Sequence, residues 1–268
     1  MTLLVVNPPR RDEEPAQLRP AFVSSPARAL AILELFTIER PTWTTDEINA
    51  ALGYSRPTGY RYVKELVDTG LLRKAAAGSY ALGPRLIVLD YQIRQTDPVL
   101  LASLPVMQGL VDATGLDAVL SAMFGHHLID IHRTSNDRER LALRYGRGRP
   151  RPLFKGASAK AIVANLPRAQ QVRLYASFHA EAAAAGLGTT WEEFRSRLAV
   201  IRKAGFHLSL GELEPSLGGA GVPIFDASGD LVAGLALVGP VARLRQADAT
   251  LLDALLSDAA ARIGASLS

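Results

Sequence analysis

Residues 44–70 read TTDEINAALGYSRPTGYRYVKELVDTG and predict two short helices joined by a tight turn. Thr44 followed three residues later by Glu47 is a capping box, which marks the start of a helix. Gly53 can adopt the left-handed backbone that ends a helix, and Ser55 can cap the next one. Gly70 closes that second helix. The three-residue turn therefore has the spacing of a helix-turn-helix.

The flanking sequence predicts a winged version of this motif. Ser25-Pro26 starts an earlier helix, with the serine as its cap and the proline at its first position, and an apolar stripe continues to Phe36. Residues 71–74 are typical of a strand, residues 75–79 of a turn, and residues 80–82 of a returning strand. A hairpin that directly follows the second helix of this motif is a wing.

The exposed side of the helix after the turn is predicted to contact DNA. The major groove presents acceptors on guanine to Arg and Lys, and methyl groups on thymine to Thr. The residues expected on or beside this helix are Arg56, Thr58, Tyr60, Arg61 and Lys64. Phosphate contacts are expected from Thr44, Thr45, Arg73 and Lys74. The core side would hold Tyr62, Val63 and Leu66. A helical hairpin with a merely charged exposed face is the alternative.

The composition fits a chain of two domains. The chain has 268 residues, of which 48% are hydrophobic, enough for more than one core. It contains no cysteine, which excludes disulfides, thiolate metal sites and cysteine nucleophiles. The formal net charge of +4 permits nucleic-acid binding without requiring it. Pro8 and Pro9 cut the opening apolar run, so we expect no signal peptide, no membrane span and a cytoplasmic location.

We expect four segments along the chain. They are a disordered arm at 1–22, a winged helix-turn-helix DNA-binding domain at 23–83, a linker helix at 84–97 and an effector-binding domain at 98–268. The second half alternates hairpins with helices, which predicts an α+β fold with an antiparallel sheet flanked by helices. The apolar stripe of the linker helix has little of its own domain to cover, so we expect a partner subunit there. The basic residues between Arg138 and Lys160 are interpreted mainly as a solvated loop.

Several motifs resemble the IclR family of bacterial transcriptional regulators, in register over about residues 25–265. The matching segments are SPARALAILELF at 25–36, Glu47-Ile48, Leu52-Gly53, Thr58, Tyr60-Arg61, Leu66, Gly70, Leu72, Tyr80-Ala81-Leu82-Gly83, Pro152-Leu153, Ala157, Lys160-Ala161, Ala164, Pro223-Ile224-Phe225-Asp226, Gly239-Pro240 and Arg243. The resemblance implies a winged-helix domain, a GAF-like effector domain, and a homodimer or tetramer on double-stranded, palindromic operator DNA. Two residues depart from the family pattern. Pro57 replaces a serine and lacks an N–H for a phosphate, whereas Gly59 could leave room for DNA to approach closely.

The resemblance also implies an effector site in the second domain, between the loop before the 158–165 helix and the inner face of the last hairpin. The implied positions are Ala157, Ser158, Ser209, Gly219, Ala236 and Val238. The loop has a physical case of its own, because Gly156 to Ser158 open a helix whose free N–H groups attract anions, and Lys155 adds positive charge. Glu212 could accept a hydroxyl of the ligand or cap a loop.

Two positions on the last hairpin bear on the chemistry of the effector. In relatives that bind small keto acids, the positions that resemble Ala236 and Val238 hold serines, which bind a carboxylate. We therefore expect an organic acid with a larger apolar or aromatic body, whose carboxylate meets the 156–158 amides and Lys155. The alternative is that Ala236 and Val238 merely fill the core.

Other kinds of chemistry are less favoured. The cluster of His126, His127, Asp130 and His132 could hold zinc but is interpreted as surface polar residues. The sequence has no nucleophile elbow, phosphate-binding loop or dinucleotide motif, so we expect neither an enzyme nor a cofactor. The rival hypothesis is a small-molecule-binding protein or enzyme whose helical N-terminus serves only for dimerisation.

Overall fold

The computed structural model describes residues 24–135 and 146–267. These residues fall into two compact units, divided between Thr96 and Asp97, and each unit is described by itself. The predicted arm at 1–22 and three of the basic residues lie outside the described residues. Those three are Arg138, Arg140 and Arg144.

The first unit is a set of helices with a small antiparallel sheet. Its elements are α1 Ser25–Ala31, β1 Trp43–Thr44, α2 Thr45–Leu52, α3 Arg56–Asp68, β2 Leu72–Lys74, β3 Ser79–Leu82 and α4 Arg85–Thr96. The strands are ordered β1-β3-β2, so the hairpin after α3 is a wing with one extra strand. That extra strand, β1, was not predicted because two residues carry no periodic signal.

The helix caps of this unit agree with the sequence in part. The capping box of Thr44 and Glu47 is present, and Gly53 ends α2 with a φ of 66°. The cap of α1, however, is Ser24 and not Ser25, so Pro26 lies one position further into the helix than predicted. Ser55 occupies the cap position of α3, but its hydroxyl donates to Thr58 Oγ1 at 2.9 Å instead of accepting a backbone N–H.

Gly59 allows α2 and α3 to pack closely in the first unit. Tyr62, Val63 and Leu66 of α3 are buried in the core, as predicted. Gly59 is buried as well, and a Cβ built on it would lie 1.5 Å from Asn49 Oδ1 on α2. The sequence interpretation that this glycine makes room for DNA is therefore wrong, because the missing side chain makes room for Asn49.

The second unit is an antiparallel sheet between layers of helices. Its elements are α5 Pro98–Thr114, β4 Asp117–Phe124, β5 His127–Thr134, β6 Pro150–Arg151, α6 Ala157–Asn165, α7 Arg168–Ala184, α8 Trp191–Ala204, β7 His207–Leu210, β8 Leu217–Phe225, β9 Leu231–Pro240, α9 Val241–Gln246 and α10 Ala249–Ala265. The strand order is β6-β5-β4-β9-β8-β7, and every pairing is antiparallel. The short elements β6 and α9 were not predicted, and α7 is distorted at Phe178, where the backbone is not helical.

Side chains of the central strands alternate between the two faces of this sheet. On one face, Leu120 and Val222 pack in the larger core with residues of α5 and α10. On the other face, Gly221 and Gly234 admit α6. A Cβ on Gly221 would lie 2.8 Å from the carbonyl carbon of Ala157, so the start of α6 is held tightly against the sheet.

The outer side of α6 is covered by α7 and α8. Rings of Phe154, Tyr175, Trp191 and Phe194 pack there with centroids 5.0–5.9 Å apart. Because α6 is buried between the sheet and these helices, the loop that precedes it has a fixed position beside the inner faces of β8 and β9.

Candidate functional site

The exposed side of α3 presents a row of polar side chains. Arg56, Tyr60 and Lys64 follow one another at four-residue spacing, which places them on one side of a helix. The side chains of Arg56 and Lys64 are each 76% exposed, and Tyr60 is 52% exposed. Arg61 is exposed next to this row, with its guanidinium 5.4 Å from the centre of the Tyr62 ring. Four of the predicted groups therefore face solvent together.

Arg56 is held by an acidic neighbour on α2. Its Nη2 lies 3.0 Å from Asp46 Oδ2 and its Nε lies 3.3 Å from Oδ1, so the pairing is bidentate. The hydrogen bond and charge of Asp46 raise the pKa of Arg56 further above its usual value. Both partners are exposed, and exposed ion pairs contribute little to stability. A DNA phosphate or guanine can therefore compete with Asp46 for this guanidinium.

The threonines predicted to contact DNA are engaged within the protein. Thr44 gives both its amide and its hydroxyl to the Glu47 carboxylate, at 2.8 Å each. These hydrogen bonds are the main reason why the pKa of Glu47 is lowered. Thr45 is only 4% exposed, and Thr58 is half-buried with its hydroxyl bonded to Ser55. In this conformation, the start of α2 offers backbone amides rather than threonine side chains.

Other cations of the first unit surround the α3 row. Arg73 and Lys74 are exposed on the wing strand β2, as expected for groups that contact a neighbouring phosphate backbone. The sequence interpretation missed Arg40, whose guanidinium stacks 3.3 Å from the centre of the Trp43 ring and bonds Glu47 at 2.6 Å. The signal for Arg40 was available, since it lies just before the capping box.

A partly open cavity lies in the second unit between the start of α6 and the sheet. Its empty volume is about 520 Å³, including the mouth. The predicted effector residues on its lining are Gly156, Ala157, Ser158, Ser209, Gly219, Ala236 and Val238. Lys155 and Glu212 do not line it. The remaining lining residues are Val119, Asp130, Arg151, Leu213, Glu214, Leu217 and Gly218.

A buried ion pair forms the polar end of this cavity. Arg151 Nη1 lies 2.9 Å from Asp130 Oδ1, and the two side chains are 6% and 4% exposed. The same guanidinium nitrogen lies 3.2 Å from Ser158 Oγ, and Ser121 Oγ donates to Asp130 Oδ1 at 2.8 Å. A Cβ on Gly156 would lie 3.0 Å from Arg151 Nη2, so the loop backbone is close to the guanidinium. The solvated-loop interpretation of the basic segment is therefore wrong for Arg151.

Glu212 binds one of the backbone amides that the sequence interpretation assigned to a ligand carboxylate. Its carboxylate accepts the Gly156 amide at 3.0 Å and the Lys160 ammonium at 2.9 Å, and His207 Nε2 lies 3.7 Å away. Burial would raise the pKa of Glu212, but His207, the Gly156 amide and Lys160 outweigh it and lower the pKa to about 2. Of the two roles considered for Glu212, the structure places it as a loop cap. A ligand carboxylate would have to meet Arg151 and the amides of Ala157 and Ser158.

Comparison with known proteins identifies the family. The model for "Bacterial transcriptional regulator IclR C-terminal" matches residues 93–265, and the model for "IclR helix-turn-helix domain" matches residues 25–76. The chain belongs to the IclR family of bacterial transcriptional regulators. It is therefore a transcriptional regulator with a DNA-binding helix-turn-helix domain.

Individual relatives agree with this assignment. The regulator is 27% identical over 240 residues to the HTH-type transcriptional regulator KipR of Bacillus subtilis, covering 88% of this chain and 94% of the relative. An IclR-family structure from Brucella abortus has a TM-score of 0.74 at 21% identity and covers 95% of both chains. An IclR homologue from Microbacterium hydrocarbonoxydans, complexed with 4-hydroxybenzoate, has a TM-score of 0.69 at 23% identity and covers 91% of this chain and 99% of that one. The curated relatives are transcriptional regulators and not enzymes.

Neither partner of the buried ion pair in the pocket of this IclR-family regulator was predicted to line it. Arg151 was hidden in a run of basic residues, and Asp130 was grouped with neighbouring histidines. One signal could have found Asp130, since in an alternating strand it shares a face with the apolar Leu128, and a carboxylate on an apolar face requires a partner.

Among the described residues there is neither a metal site at the histidine cluster nor a helix able to span a membrane. Among residues 24–135 and 146–267, no group of three or more His, Asp or Glu side chains has the arrangement of a metal site. His127 is not a simple surface residue, because burial and the nearby His126 lower its pKa. No described helix is long and apolar enough to cross a membrane.

Proposed function

We propose that this regulator binds operator DNA through α3 and the wing, and that a small organic acid with an apolar or aromatic body modulates that binding from the cavity of the second unit. One observation carries the effector half of this proposal. The guanidinium of Arg151 is buried at the end of a cavity whose other walls are largely apolar. A guanidinium in such surroundings is the side chain best suited to hold a carboxylate.

The cavity walls favour an apolar body next to that carboxylate. Val119, Leu213, Leu217, Ala236 and Val238 line the cavity and offer no hydrogen bonds to a small keto acid. The amides of Ala157 and Ser158 occupy the first turn of α6, where helix N–H groups have no acceptor within the helix. The Microbacterium homologue complexed with 4-hydroxybenzoate supports an aromatic acid as the ligand class.

Calorimetry with the full chain tests the effector half of the proposal. Benzoate and its alkyl derivatives should bind more tightly than pyruvate, because only they bury apolar surface against Val119, Leu213 and Val238. A preference for pyruvate would contradict the proposal. The DNA half is tested by a gel shift with the protein's own upstream region, whose affinity should fall steeply with salt as expected for phosphate contacts.

We also propose that the regulator forms a homodimer or tetramer through α4. None of the residues of this helix is buried within its own unit, and Ile87 and Tyr91, which lie one turn apart on the same side, are more than half exposed. A second copy of the chain would cover this apolar face. The double variant Ile87→Glu, Tyr91→Glu should lower the mass measured by sedimentation equilibrium, and an unchanged mass would contradict this use of α4.

A further inference from the structure

Within the part of the chain that the structure describes, the Asp130 carboxylate uses only one of its two oxygens. Both side-chain donors that reach it, Ser121 Oγ and Arg151 Nη1, bond Oδ1. No donor among residues 24–135 and 146–267 reaches Oδ2. The side chain is only 4% exposed and lies on the lining of the cavity, so Oδ2 is the carboxylate oxygen that remains open to a ligand there.

A ligand that fills this end of the cavity must donate a hydrogen bond to Asp130 Oδ2. Excluding water from a buried charged acceptor without supplying a donor is costly, so a site of this kind rejects ligands that lack the matching group. A neutral donor is enough, because the Arg151 guanidinium already balances the charge of the Asp130 carboxylate. A hydroxyl group meets both conditions.

The distance between the two charged side chains limits where the hydroxyl is on the ligand. Arg151 and Asp130 are in direct contact at 2.9 Å, and Ser158 Oγ is 3.2 Å from the same guanidinium nitrogen. A carboxylate on Arg151 and a hydroxyl on Asp130 Oδ2 must therefore be close together in the ligand. We propose that the effector is an α-hydroxy acid with an apolar body, whose carboxylate binds Arg151 and whose hydroxyl donates to Asp130 Oδ2. This inference rests on the proposed function.

Four ligands with the same phenyl body test the inference in calorimetric titrations of the full chain. They are mandelate in both enantiomers, α-methoxyphenylacetate, 4-hydroxyphenylacetate and mandelamide. We expect one mandelate enantiomer to bind roughly tenfold to hundredfold more tightly than the methoxy ether, which keeps the oxygen but lacks the donor. It should bind better than the 4-hydroxy isomer by a similar factor, because that hydroxyl is remote from the carboxylate.

The outcomes separate this inference from the proposed function. Equal affinity for mandelate and its methoxy ether would overturn the α-hydroxy inference and leave an acid effector in place. Equal affinity for mandelate and mandelamide would overturn the proposed contact between the ligand carboxylate and Arg151, and would leave the hydroxyl contact with Asp130 in place. If none of these ligands bound although benzoate did, only the α-hydroxy inference would be overturned. If benzoate also failed to bind, the effector half of the proposed function would be overturned with it.

Two variants test whether Asp130 Oδ2 is the acceptor. Asp130→Asn keeps the shape and one oxygen for Arg151 and Ser121, but it places an N–H₂ where Oδ2 was. The preference for mandelate over the methoxy ether should then disappear or reverse, because the amide can donate to an ether. Ser121→Ala removes a donor to Oδ1 and the contacts of that hydroxyl with Ser158 and Arg151, but no group at Oδ2, so it should keep the preference. If Asp130→Asn retained the wild-type preference with an unchanged circular dichroism spectrum, the assignment of Asp130 would fail. If the variant did not fold, the ligand series on the wild-type protein would still decide the inference.

Discussion

Gly59 contributes to the stability of the first unit through its close contact with Asn49. Adding a methyl group places it 1.5 Å from Asn49 Oδ1, so the Gly59→Ala variant must displace the Asn49 amide or separate α2 from α3. Alanine favours a helix by about 1 kcal/mol over glycine, whereas overpacking a tight contact costs about 1–3 kcal/mol. We expect a net destabilisation of up to about 2 kcal/mol in urea unfolding monitored by circular dichroism.

Two further variants make this prediction specific. Gly109→Ala in α5 introduces the same methyl group where nothing lies within 4 Å, so it should leave stability unchanged or raise it. Asn49 is itself buried, and neither of its amide atoms has a hydrogen-bond partner in the described structure. The double variant Asn49→Ala, Gly59→Ala should therefore recover most of the loss. Equal effects of Gly59→Ala and Gly109→Ala would contradict the close-packing argument.

Glu212 should make the stability of the second unit depend on pH in the acidic range. Its pKa is about 2 in the folded protein, compared with the ordinary value of 4.5. A lowered pKa means that the ionised form is bound preferentially by the fold, so the stabilisation is complete above pH 4.5 and is lost as the pH falls towards 2. The carboxylate is partly solvated, which limits the effect to on the order of 2 kcal/mol.

The Glu212→Gln variant measures this contribution. It should unfold more easily than the wild type at pH 7, and the difference should shrink between pH 4.5 and pH 2. Glu181→Gln, on an exposed part of α7, is the matched control and should have no effect. A difference between Glu212→Gln and wild type that does not vary with pH would argue against the charged network with Lys160 and His207.

At the scale of elements, α3 should supply most of the operator affinity. The triple variant Arg56→Ala, Arg61→Ala, Lys64→Ala removes the exposed cations of the row, and we expect binding of the upstream region to fall roughly a hundredfold or more. For each lost phosphate contact, the slope of log K against log salt should become shallower by roughly one. Both quantities can be measured in gel shifts or by fluorescence anisotropy at several salt concentrations.

A charge-matched control separates groove recognition from general electrostatic attraction. Arg195, Arg197 and Arg202 are exposed on α8 in the other unit, and their triple replacement by alanine removes the same charge. This control should retain nearly full affinity. If the two triple variants lost affinity equally, net charge rather than α3 would explain binding, and the recognition-helix assignment would fail.

The elements differ in how far the sequence could predict them. The boundaries of α2 and the end of α3 follow from local caps such as Thr44, Glu47 and Gly53, whose effect depends on residues a few positions away. The polar end of the cavity depends on long-range pairing. Arg151 and Asp130 are 21 positions apart and meet because the two-residue strand β6 pairs with β5. Such a short strand has no periodicity, so neither the pairing nor the burial of Arg151 could be inferred from the sequence alone.

At the scale of the whole molecule, an effector that modulates operator binding implies a reciprocal effect. If a ligand changes the affinity for DNA by some factor, DNA must change the affinity for that ligand by the same factor, because the two binding free energies share one thermodynamic cycle. Coupling between sites is typically about 1–3 kcal/mol, which corresponds to roughly fivefold to 150-fold. The direction of the change decides whether the ligand releases the regulator from its operator or strengthens the complex.

We expect this equality for whichever of benzoate and mandelate binds more tightly in calorimetry. The ligand is titrated with and without saturating upstream DNA, and the DNA is titrated with and without saturating ligand. The two factors should agree within error. The variant lacking Arg56, Arg61 and Lys64 is the control, since DNA that no longer binds cannot alter its affinity for the ligand. If the ligand binds the wild type with equal affinity in the presence and absence of DNA, the cavity is not coupled to the operator, and the effector half of the proposed function is wrong even though the ligand binds.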